Sequence, residues 1–331
     1  MLYEALEENL KEGRQSILLI NRRGFHTFAA CNHCGAVVSC PYCSISMTYH
    51  SANNRLMCHY CGHSVPFSSV CPECGEDAVR YSGFGTQKIE SELAALLPQA
   101  RVVRMDTDST AGKNSHEKLL DSFANGEYDI MIGTQMVAKG LNFPNVTLVG
   151  VVSVDQQLYN DDFRSLEKTF SLLTQVVGRS GRGELKGKAI IQTLTPENEV
   201  IRLAARQDYD AFFGTEIRLR RALVYPPYCD LCVVGFTGTD ETVVKTAARN
   251  ALELLKRHLA GEFKGEKAII LGPMPARVAK VSGKFRYRLI IKCRNTGGMR
   301  RLISRLLIET GEDSRFSKVT AYADINPDST V

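Results

Sequence analysis

The chain has 331 residues, of which 44% are hydrophobic and 23% are charged. This length suits roughly two to three domains, and the composition excludes a disordered, collagen-like or coiled-coil protein. The longest apolar runs are far shorter than the ~20 residues that span a bilayer, and residues 1–10 carry three glutamates and no basic group. We therefore expect a cytoplasmic protein with no signal peptide and no membrane partner.

The net charge of +5 is distributed unevenly along the chain. Residues 222–331 hold 18 basic and 11 acidic residues, a net charge of +7, whereas residues 1–221 carry −2. Residues 277–305 hold ten basic residues and no acidic one. This pattern predicts a polyanionic partner for the last third of the chain, with a solvated basic face as the alternative.

Short apolar strands alternate with helices on both sides of a cysteine-rich block. The predicted strands are residues 16–20, 101–105, 129–133, 146–152 and 188–192, and the predicted helices are residues 2–10, 86–97, 115–124, 166–177 and 197–213. This alternation is typical of an α/β fold whose mostly parallel sheet is covered by helices on both faces.

Four Cys-x-x-Cys pairs follow the first of these strands and hold eight of the eleven cysteines. The pairs are Cys31/Cys34, Cys40/Cys43, Cys58/Cys61 and Cys71/Cys74. Two pairs supply the four thiolates of one tetrahedral zinc site, so the spacing predicts two zinc ions per chain. A disulfide framework is disfavoured because no signal peptide is present, and iron–sulfur ligation is the remaining alternative.

The spacing of the pairs also indicates how they combine. Fourteen residues separate Cys43 from Cys58, which leaves room for the hairpin of a zinc ribbon. We therefore favour a nested scheme, in which the two inner pairs form one site and the two outer pairs form the other, over sequential pairing. A zinc ion with four thiolates has no open position for a substrate, so the module is expected to hold a surface for a partner or nucleic acid.

The other candidate ligands are interpreted as non-ligands. Three histidines lie among the cysteines and are read as surface residues, namely His33, His59 and His63. Three further cysteines lie beside apolar stretches of the last third and are read as core, namely Cys229, Cys232 and Cys293.

Glycine-containing segments occur at the ends of three predicted elements. Residues 83–87 open a helix, residues 133–144 follow a strand, and residues 175–182 end a helix. In the last segment Gln175, Arg179 and Arg182 would share one helical face if the helix continued. Two arginines aimed together suit a phosphate, and a solvated surface is the alternative.

The last third of the chain predicts a β-α-β-β-α-β domain. Its strands are residues 231–237, 268–271, 286–292 and 318–323, and its helices are residues 241–259 and 299–307. A basic run alternates here with Phe285 and Tyr287, a pattern that could grip phosphates and stack bases. The run comprises Arg277, Lys280, Lys284, Arg286, Arg288, Lys292 and Arg294. The alternative is that the aromatic rings are core and the charges are solvated.

Several of these segments resemble known helicase motifs. Residues 175–182 (Gln-Val-Val-Gly-Arg-Ser-Gly-Arg) resemble motif VI of superfamily 2 helicases, and residues 133–140 (Gly-Thr-Gln-Met-Val-Ala-Lys-Gly) resemble motif V. Four cysteine pairs inserted after residues 21–24 (Asn-Arg-Arg-Gly), and the segment 162–168, make the match more specific. From about residue 1 to its end, the chain resembles the C-terminal portion of the PriA family of replication-restart helicases (primosomal protein N′).

The resemblance implies a domain plan. Residues 1–30 and 80–221 would form a RecA-like second helicase lobe, residues 31–79 a two-zinc insertion, and residues 222–331 a C-terminal α+β domain. It also implies an ATP-dependent 3′–5′ DNA helicase acting in replication restart and primosome assembly at stalled forks. The implied partners are forked or single-stranded DNA, single-stranded-DNA-binding protein and other primosome proteins, and the implied location is the nucleoid.

The resemblance also implies roles for individual residues. Arg179 and Arg182 would face ATP as arginine fingers, with Gln175 in the same network. The motif V residues would line the nucleotide-binding and DNA-coupling side, namely Gly133, Thr134, Gln135, Lys139 and Gly140. Asn142 departs from the family pattern, in which Asp is common at this position.

The chain lacks the parts that a first helicase lobe supplies. No Gly-x-x-x-x-Gly-Lys-Ser/Thr phosphate loop occurs, and the one Asp-Glu pair, Asp240-Glu241, is interpreted as a turn into a helix. We therefore expect ATP and Mg²⁺ to bind only together with a first lobe, and the isolated chain to be inactive. The alternative function is a non-catalytic zinc- and DNA-binding module.

Overall fold

The structure is a computed structural model. It describes residues 1–20, 28–31, 33–34, 36, 38–42, 47–50, 54–57, 63–82, 86–105, 115–134, 143–152, 154–159, 162–178 and 187–328. Within these ranges no helix is both long enough and apolar enough to cross a membrane.

Helices and strands alternate along most of the described chain. The helices are α1 (Leu2–Lys11), α2 (Thr86–Leu96), α3 (Ser115–Ala124), α4 (Asp155–Leu158), α5 (Ser165–Val177), α6 (Glu199–Ala205), α7 (Tyr209–Ala222), α8 (Glu241–Ala260) and α9 (Gly297–Glu312). The strands are β1 (Gln15–Ile20), β2 (Phe28–Cys31), β3 (Thr48–His50), β4 (Arg55–Met57), β5 (Ser64–Pro66), β6 (Val79–Ser82), β7 (Val102–Met105), β8 (Ile130–Gly133), β9 (Val146–Val152), β10 (Lys188–Ile191), β11 (Asp230–Gly238), β12 (Ala268–Val281), β13 (Lys284–Cys293) and β14 (Thr320–Ile325).

The chain divides into two compact units. Unit 1 comprises Met1–Thr27 and Gly83–Glu216, and unit 2 comprises Phe28–Ser82 and Ile217–Val331. The cysteine-rich segment therefore belongs to the same compact unit as the last third of the chain.

Unit 1 is built on a parallel five-stranded sheet with the strand order β10-β9-β1-β8-β7. Alternate residues of β1 enter different cores: Leu18 and Ile20 pack with residues of α1 and α2, whereas Ile17 and Leu19 pack with residues of α3 and α5. Burial on both faces explains why the strands are continuous apolar runs. The predicted α/β fold with a sheet covered on both faces is confirmed.

The predicted helix over residues 197–213 is wrong, because two helices occupy this stretch. The first, α6, ends at Ala205, and the second, α7, begins at Tyr209. Gln207 between them has a φ of 55°, which no α-helix accommodates. The carboxylate of Asp208 accepts a hydrogen bond from the Ala211 amide at 3.0 Å and so supports the start of α7.

The last third of the chain forms the predicted β-α-β-β-α-β arrangement. Its antiparallel sheet has the order β12-β13-β11-β14, and residues of α8 and α9 pack on one face of it. The Asp-Glu pair lies at the start of α8, where the Asp240 side chain accepts a hydrogen bond from the Val243 amide at 3.0 Å. Asp240 is thus a helix N-cap, as the sequence indicated.

The cysteine-rich segment forms a third, antiparallel sheet of short strands in the order β5-β4-β3-β2-β6. Its first and last strands are neighbours, with Cys31 opposite Val79 and Phe28 opposite Ser82. The two ends of the segment therefore lie side by side, which is the geometry that an insertion requires.

Candidate zinc centre and nucleic-acid interface

Four cysteine sulfurs converge beside the β2–β6 pair. The Sγ atoms of Cys31, Cys34, Cys71 and Cys74 all lie within 4.8 Å of one another. The Cys31–Cys74 and Cys34–Cys71 sulfurs are each 3.7 Å apart. Four thiolates at Zn–S distances of about 2.3 Å in a tetrahedron lie about 3.8 Å apart, so this set fits one zinc ion. It is the outer set of the nested scheme.

Backbone turns hold the two outer pairs in place. The Cys31 amide donates to the Ala36 carbonyl at 2.8 Å, and the Cys71 amide donates to the Glu76 carbonyl at 2.8 Å. Gly75 has a φ of 76°, and its amide donates to the Cys71 carbonyl at 2.9 Å. A left-handed residue directly after the second cysteine lets the chain reverse tightly, and glycine adopts that conformation without strain.

The surroundings of the sulfurs shift the pKa values of Cys31 and Cys74 in opposite directions. The amides of Cys34 and His33 donate to the Cys31 sulfur and lower the pKa of Cys31 to about 7. At Cys74 the Glu76 amide lowers the pKa, but burial and the three neighbouring sulfurs outweigh it and raise the pKa to about 12. Zinc must therefore displace protons from part of the set, and its affinity is expected to fall as the pH falls.

Most of the inner set lies outside the described residues. Cys40 is buried, and it packs with Cys31, Cys71 and Met47 in the core of the cysteine-rich sheet. Cys43, Cys58 and Cys61 are not within the described ranges.

The non-ligand interpretations agree with the described part of the chain. His33 is exposed, His63 packs edge-on against Tyr42 with ring centroids 4.9 Å apart, and His59 lies outside the described ranges. The three late cysteines are buried, and burial raises the pKa of Cys232 to about 12 and that of Cys293 to about 11. These buried thiols are core residues, as predicted.

The cysteine-rich sheet contacts the tip of the β12–β13 hairpin. The Gly283 amide donates to the Tyr42 carbonyl at 2.7 Å, and Val281 packs against the core of the cysteine-rich sheet. Val281 pairs with Lys284, so the connecting turn has two residues, Ser282 and Gly283, with φ values of 50° and 77°. Positive φ at both positions is typical of a type I′ hairpin turn. The tip of the basic hairpin therefore rests on Pro41 and Tyr42, directly after Cys40.

The pleat of β13 places Tyr287 on the face opposite Arg286 and Arg288. Tyr287 is 7% exposed, packs with residues of α8 and α9, and donates its hydroxyl to Glu241 at 3.0 Å. Arg286 and Arg288 project from the opposite face of the sheet, because side chains alternate along a strand. The prediction that Tyr287 stacks a base is therefore wrong, since its ring belongs to the core.

Lys292 is also unavailable to a phosphate. Its ammonium group donates to the Leu223 carbonyl at 2.7 Å and lies 3.6 Å from the centre of the Tyr225 ring. The side chain is buried, and this burial lowers the pKa of Lys292. It holds the chain entering the domain against the sheet, a role that its place in a basic run does not reveal.

The helicase-like motifs of unit 1 are only partly within the described residues. Gly133 ends β8 and Thr134 follows it half-buried, whereas Gln135, Lys139, Gly140, Asn142, Arg179 and Arg182 lie outside the described ranges. Gln175 is exposed in the last turn of α5. The helix α5 ends at Val177, with Gly178 as its C-cap, and the two arginines predicted to share a face with Gln175 lie beyond it, outside the described ranges.

The described chain after each of these motifs leads into one of two neighbouring strands. Phe143, the first described residue after motif V, leads into β9, and Gly187, the first after motif VI, leads into β10. Because β9 and β10 are parallel neighbours, both motifs are followed by chain that enters the sheet at the same edge.

Family models match three parts of the chain. "Primosomal protein N C-terminal domain" matches residues 221–328, "PriA DNA helicase Cys-rich region (CRR) domain" matches residues 40–66, and "Helicase conserved C-terminal domain" matches residues 82–184. The replication restart protein PriA of Bacillus subtilis is 45% identical over 328 residues, which is 98% of this chain. The chain belongs to the PriA family. It corresponds to the C-terminal portion of the family's members.

Other relatives show the same coverage. The replication restart proteins PriA of Synechocystis and Chlamydia trachomatis are 41% and 39% identical, over 88% and 98% of this chain. The chain spans 40% of the Bacillus relative, 35% of the Synechocystis relative and 42% of the Chlamydia relative. Among solved structures, yeast Dbp5 bound to RNA and ADP BeF3 is 12% identical over 66% of this chain and 42% of its own, with a TM-score of 0.32.

The outer cysteine set can be tested through its metal content. Cys71→Ser is expected to lower the zinc content of the purified chain by one ion relative to the parent, because a tetrathiolate site loses a ligand. Elemental analysis after dialysis measures the difference. Cys229→Ser is the matched control, since Cys229 is also a buried thiol but lies against the Val224 carbonyl at 3.2 Å. Equal zinc in the Cys71 variant and the parent would contradict the assignment.

Proposed function

We propose that the chain is the C-terminal half of an ATP-dependent 3′–5′ DNA helicase that acts in replication restart and primosome assembly at stalled forks. Membership of the PriA family, with matches to the helicase C-terminal model and to both family-specific models, carries this proposal. In it, unit 1 is the second lobe of the motor, and unit 2 engages nucleic acid and protein partners. The protein acts at the nucleoid in the cytoplasm.

The motor assignment rests on motifs V and VI of unit 1. The match of the helicase C-terminal model to residues 82–184, which contain both motifs, supports this assignment. Arg179 and Arg182 act there as arginine fingers on the γ-phosphate, with Gln175 in the same network. Gly133, Thr134, Gln135, Lys139 and Gly140 couple the nucleotide to DNA.

ATP and Mg²⁺ bind only together with a first lobe. The chain has no phosphate-loop sequence, and its Asp-Glu pair serves as the N-cap of α8. An arginine finger stabilises the charge that develops on a transferring phosphoryl group, but it does not cradle the nucleotide itself. The residues of this chain would therefore complete a site that another lobe builds.

The cysteine-rich segment holds two zinc ions in structural sites. The outer ion is bound by Cys31, Cys34, Cys71 and Cys74, and the inner ion by Cys40, Cys43, Cys58 and Cys61. The convergence of the outer sulfurs and the match to the family's Cys-rich region support this assignment. Four thiolates saturate each ion, so the zinc ions brace the sheet and the hairpin tip that rests on it.

Unit 2 binds forked or single-stranded DNA. The charge of residues 277–305 and the projection of Arg286 and Arg288 from the open sheet face support this binding. Single-stranded-DNA-binding protein and other primosome proteins are the proposed protein partners. The second candidate function, a zinc- and DNA-binding module without catalysis, is favoured only by the missing phosphate loop.

The motor assignment predicts a conditional ATPase. The purified chain should show no DNA-stimulated ATP hydrolysis, and joining it to a family first lobe should restore turnover. In the restored enzyme Arg182→Ala should lower the rate by about 10³–10⁵, the usual contribution of an arginine finger, with DNA affinity unchanged. A phosphate-release assay and an equilibrium binding assay measure the two quantities.

Arg202→Ala provides the control for this test. Arg202 is an exposed arginine of unit 1 that pairs with Glu197 at 3.2 Å, so its loss should leave the rate unchanged. Robust hydrolysis by the isolated chain, or a restored enzyme that is indifferent to Arg182, would show that the motor half is misassigned.

The DNA-binding assignment predicts a change in salt dependence. Each phosphate contact to a single strand contributes about −0.7 to the slope of log K against log salt, so replacing Lys284, Arg286 and Arg288 by Ala should flatten the slope by about 2. Fluorescence anisotropy of a labelled oligonucleotide between low and high salt measures it.

The control removes the same charge from the helix side of the domain. Lys245, Arg257 and Lys264 are exposed residues of α8 and the turn after it, and their replacement by Ala should leave the slope unchanged. Equal slopes for the two triple variants would mean that the basic face does not contact phosphates.

A further inference from the structure

The sheet of the last third has one face that the helices leave open. Residues of α8 and α9 pack against one side, where Val234, Phe236 and Leu289 are buried. On the other side, Tyr322 of β14 stands directly opposite Gly235 of β11. Its side chain is 41% exposed. No motif in the sequence draws attention to this tyrosine.

The Tyr322 ring lies against the backbone of Gly235. A Cβ atom at Gly235 would fall 2.3 Å from Cζ and 2.6 Å from Oη of Tyr322, distances that no real side chain tolerates. The φ of Gly235 is not positive, so its backbone conformation does not require glycine. Glycine inside a strand costs stability and often marks the close approach of another group, and here that group is the aromatic ring.

Basic side chains complete the same face. Gly235 pairs with Tyr322 on one side and with Arg288 of β13 on the other, so tyrosine, glycine and arginine form one row across three strands. Thr237 pairs with Thr320 and with Arg286 in the next row. Adjacent strands are about 4.8 Å apart, so Arg288 and Tyr322 stand about 10 Å apart at the backbone.

One carboxylate borders this group. Asp324 of β14 lies on the same face opposite Val233, one row beyond Tyr322 and on the side away from Arg286. A phosphate backbone would therefore pass on the arginine side of Tyr322 and avoid the Asp324 side.

This arrangement suits an unpaired nucleic-acid base. A partly exposed ring that lies against a glycine can stack a base on its exposed surface, while basic groups on the same sheet face meet the adjoining phosphates. A base inside a duplex has both faces covered by its neighbours, so stacking on Tyr322 selects single strands. A four-stranded sheet with helices on one side is a known platform for such stacking.

We propose that Tyr322, supported by Gly235 and flanked by Arg286 and Arg288, is a base-stacking site for single-stranded DNA. This inference rests on the proposed DNA binding by unit 2 and names the group that recognises an unpaired base. The aromatic contact comes from β14, whereas Tyr287 of the basic strand serves the core.

The test compares Tyr322→Ala with the parent on two oligonucleotides of equal length, oligo-dT and a fully abasic strand with the same phosphates. Stacking of one base is worth about 1–3 kcal/mol, so Tyr322→Ala should weaken oligo-dT binding by roughly tenfold. It should not change the salt slope, and it should not affect the abasic strand. Tyr322→Phe keeps the ring and should bind oligo-dT like the parent.

Tyr3→Ala is the matched control, because Tyr3 is also 41% exposed but lies in α1 of unit 1. Parent-like oligo-dT binding by Tyr322→Ala, or an equal loss on the oligo-dT and abasic strands, would overturn the stacking site. A flattened slope in the Lys284/Arg286/Arg288 triple variant alongside that result would leave DNA binding by unit 2 intact. Unchanged slopes in the triple variant would refute the DNA-binding proposal itself.

Discussion

The tip of the β12–β13 hairpin rests on the cysteine-rich sheet through the hydrogen bond from Gly283 to Tyr42 and the packing of Val281. This contact anchors a long hairpin at its far end, while Tyr287 and Leu289 anchor its middle in the helix-covered core. With both regions held, the pleat of β13 can present Arg286 and Arg288 only on the open face. The positions of the basic groups therefore depend on how the cysteine-rich sheet is braced.

That dependence gives the zinc sites a role without chemistry at the metal. A tetrathiolate ion does not activate a substrate, but an ion bound by Cys31, Cys34, Cys71 and Cys74 would tie together the β2–β6 side of the sheet on which the hairpin tip rests. The excess positive charge of the chain lies in the same unit, whereas unit 1 carries the helicase-like motifs. Within the described residues, the converging cysteine set and the basic hairpin thus belong to one compact unit, and the described parts of the helicase-like motifs belong to the other.

Local sequence patterns predicted most of the fold, because the spacing of hydrophobic residues and the identity of helix-capping residues can be recognised from neighbouring positions. The parallel sheet of unit 1 and the start of α8 at Asp240 followed directly from them. The break between α6 and α7 did not, since it depends on a left-handed Gln207 that no propensity marks. The full length of β12 was missed as well, because only its first residues form an apolar run.

The site was predictable only where its residues are close in sequence. The Cys-x-x-Cys spacing predicts the outer metal set. The run of basic and aromatic residues, in contrast, suggested that Tyr287 acts together with the arginines, although the pleat of β13 places it on the opposite face. Tyr322 was missed because its partner, Gly235, is 87 positions earlier and only the register of β11 with β14 brings them together. An isolated glycine within the apolar stretch of β11 was the one available signal.

Hydrogen–deuterium exchange can show whether the zinc-bound sheet holds the basic hairpin in place. In the zinc-loaded chain the Gly283 amide should be protected by its bond to Tyr42. After chelation, deuterium uptake should rise across residues 278–286 and stay unchanged in the buried middle of α8. Equal uptake across residues 278–286 with and without zinc would contradict the account.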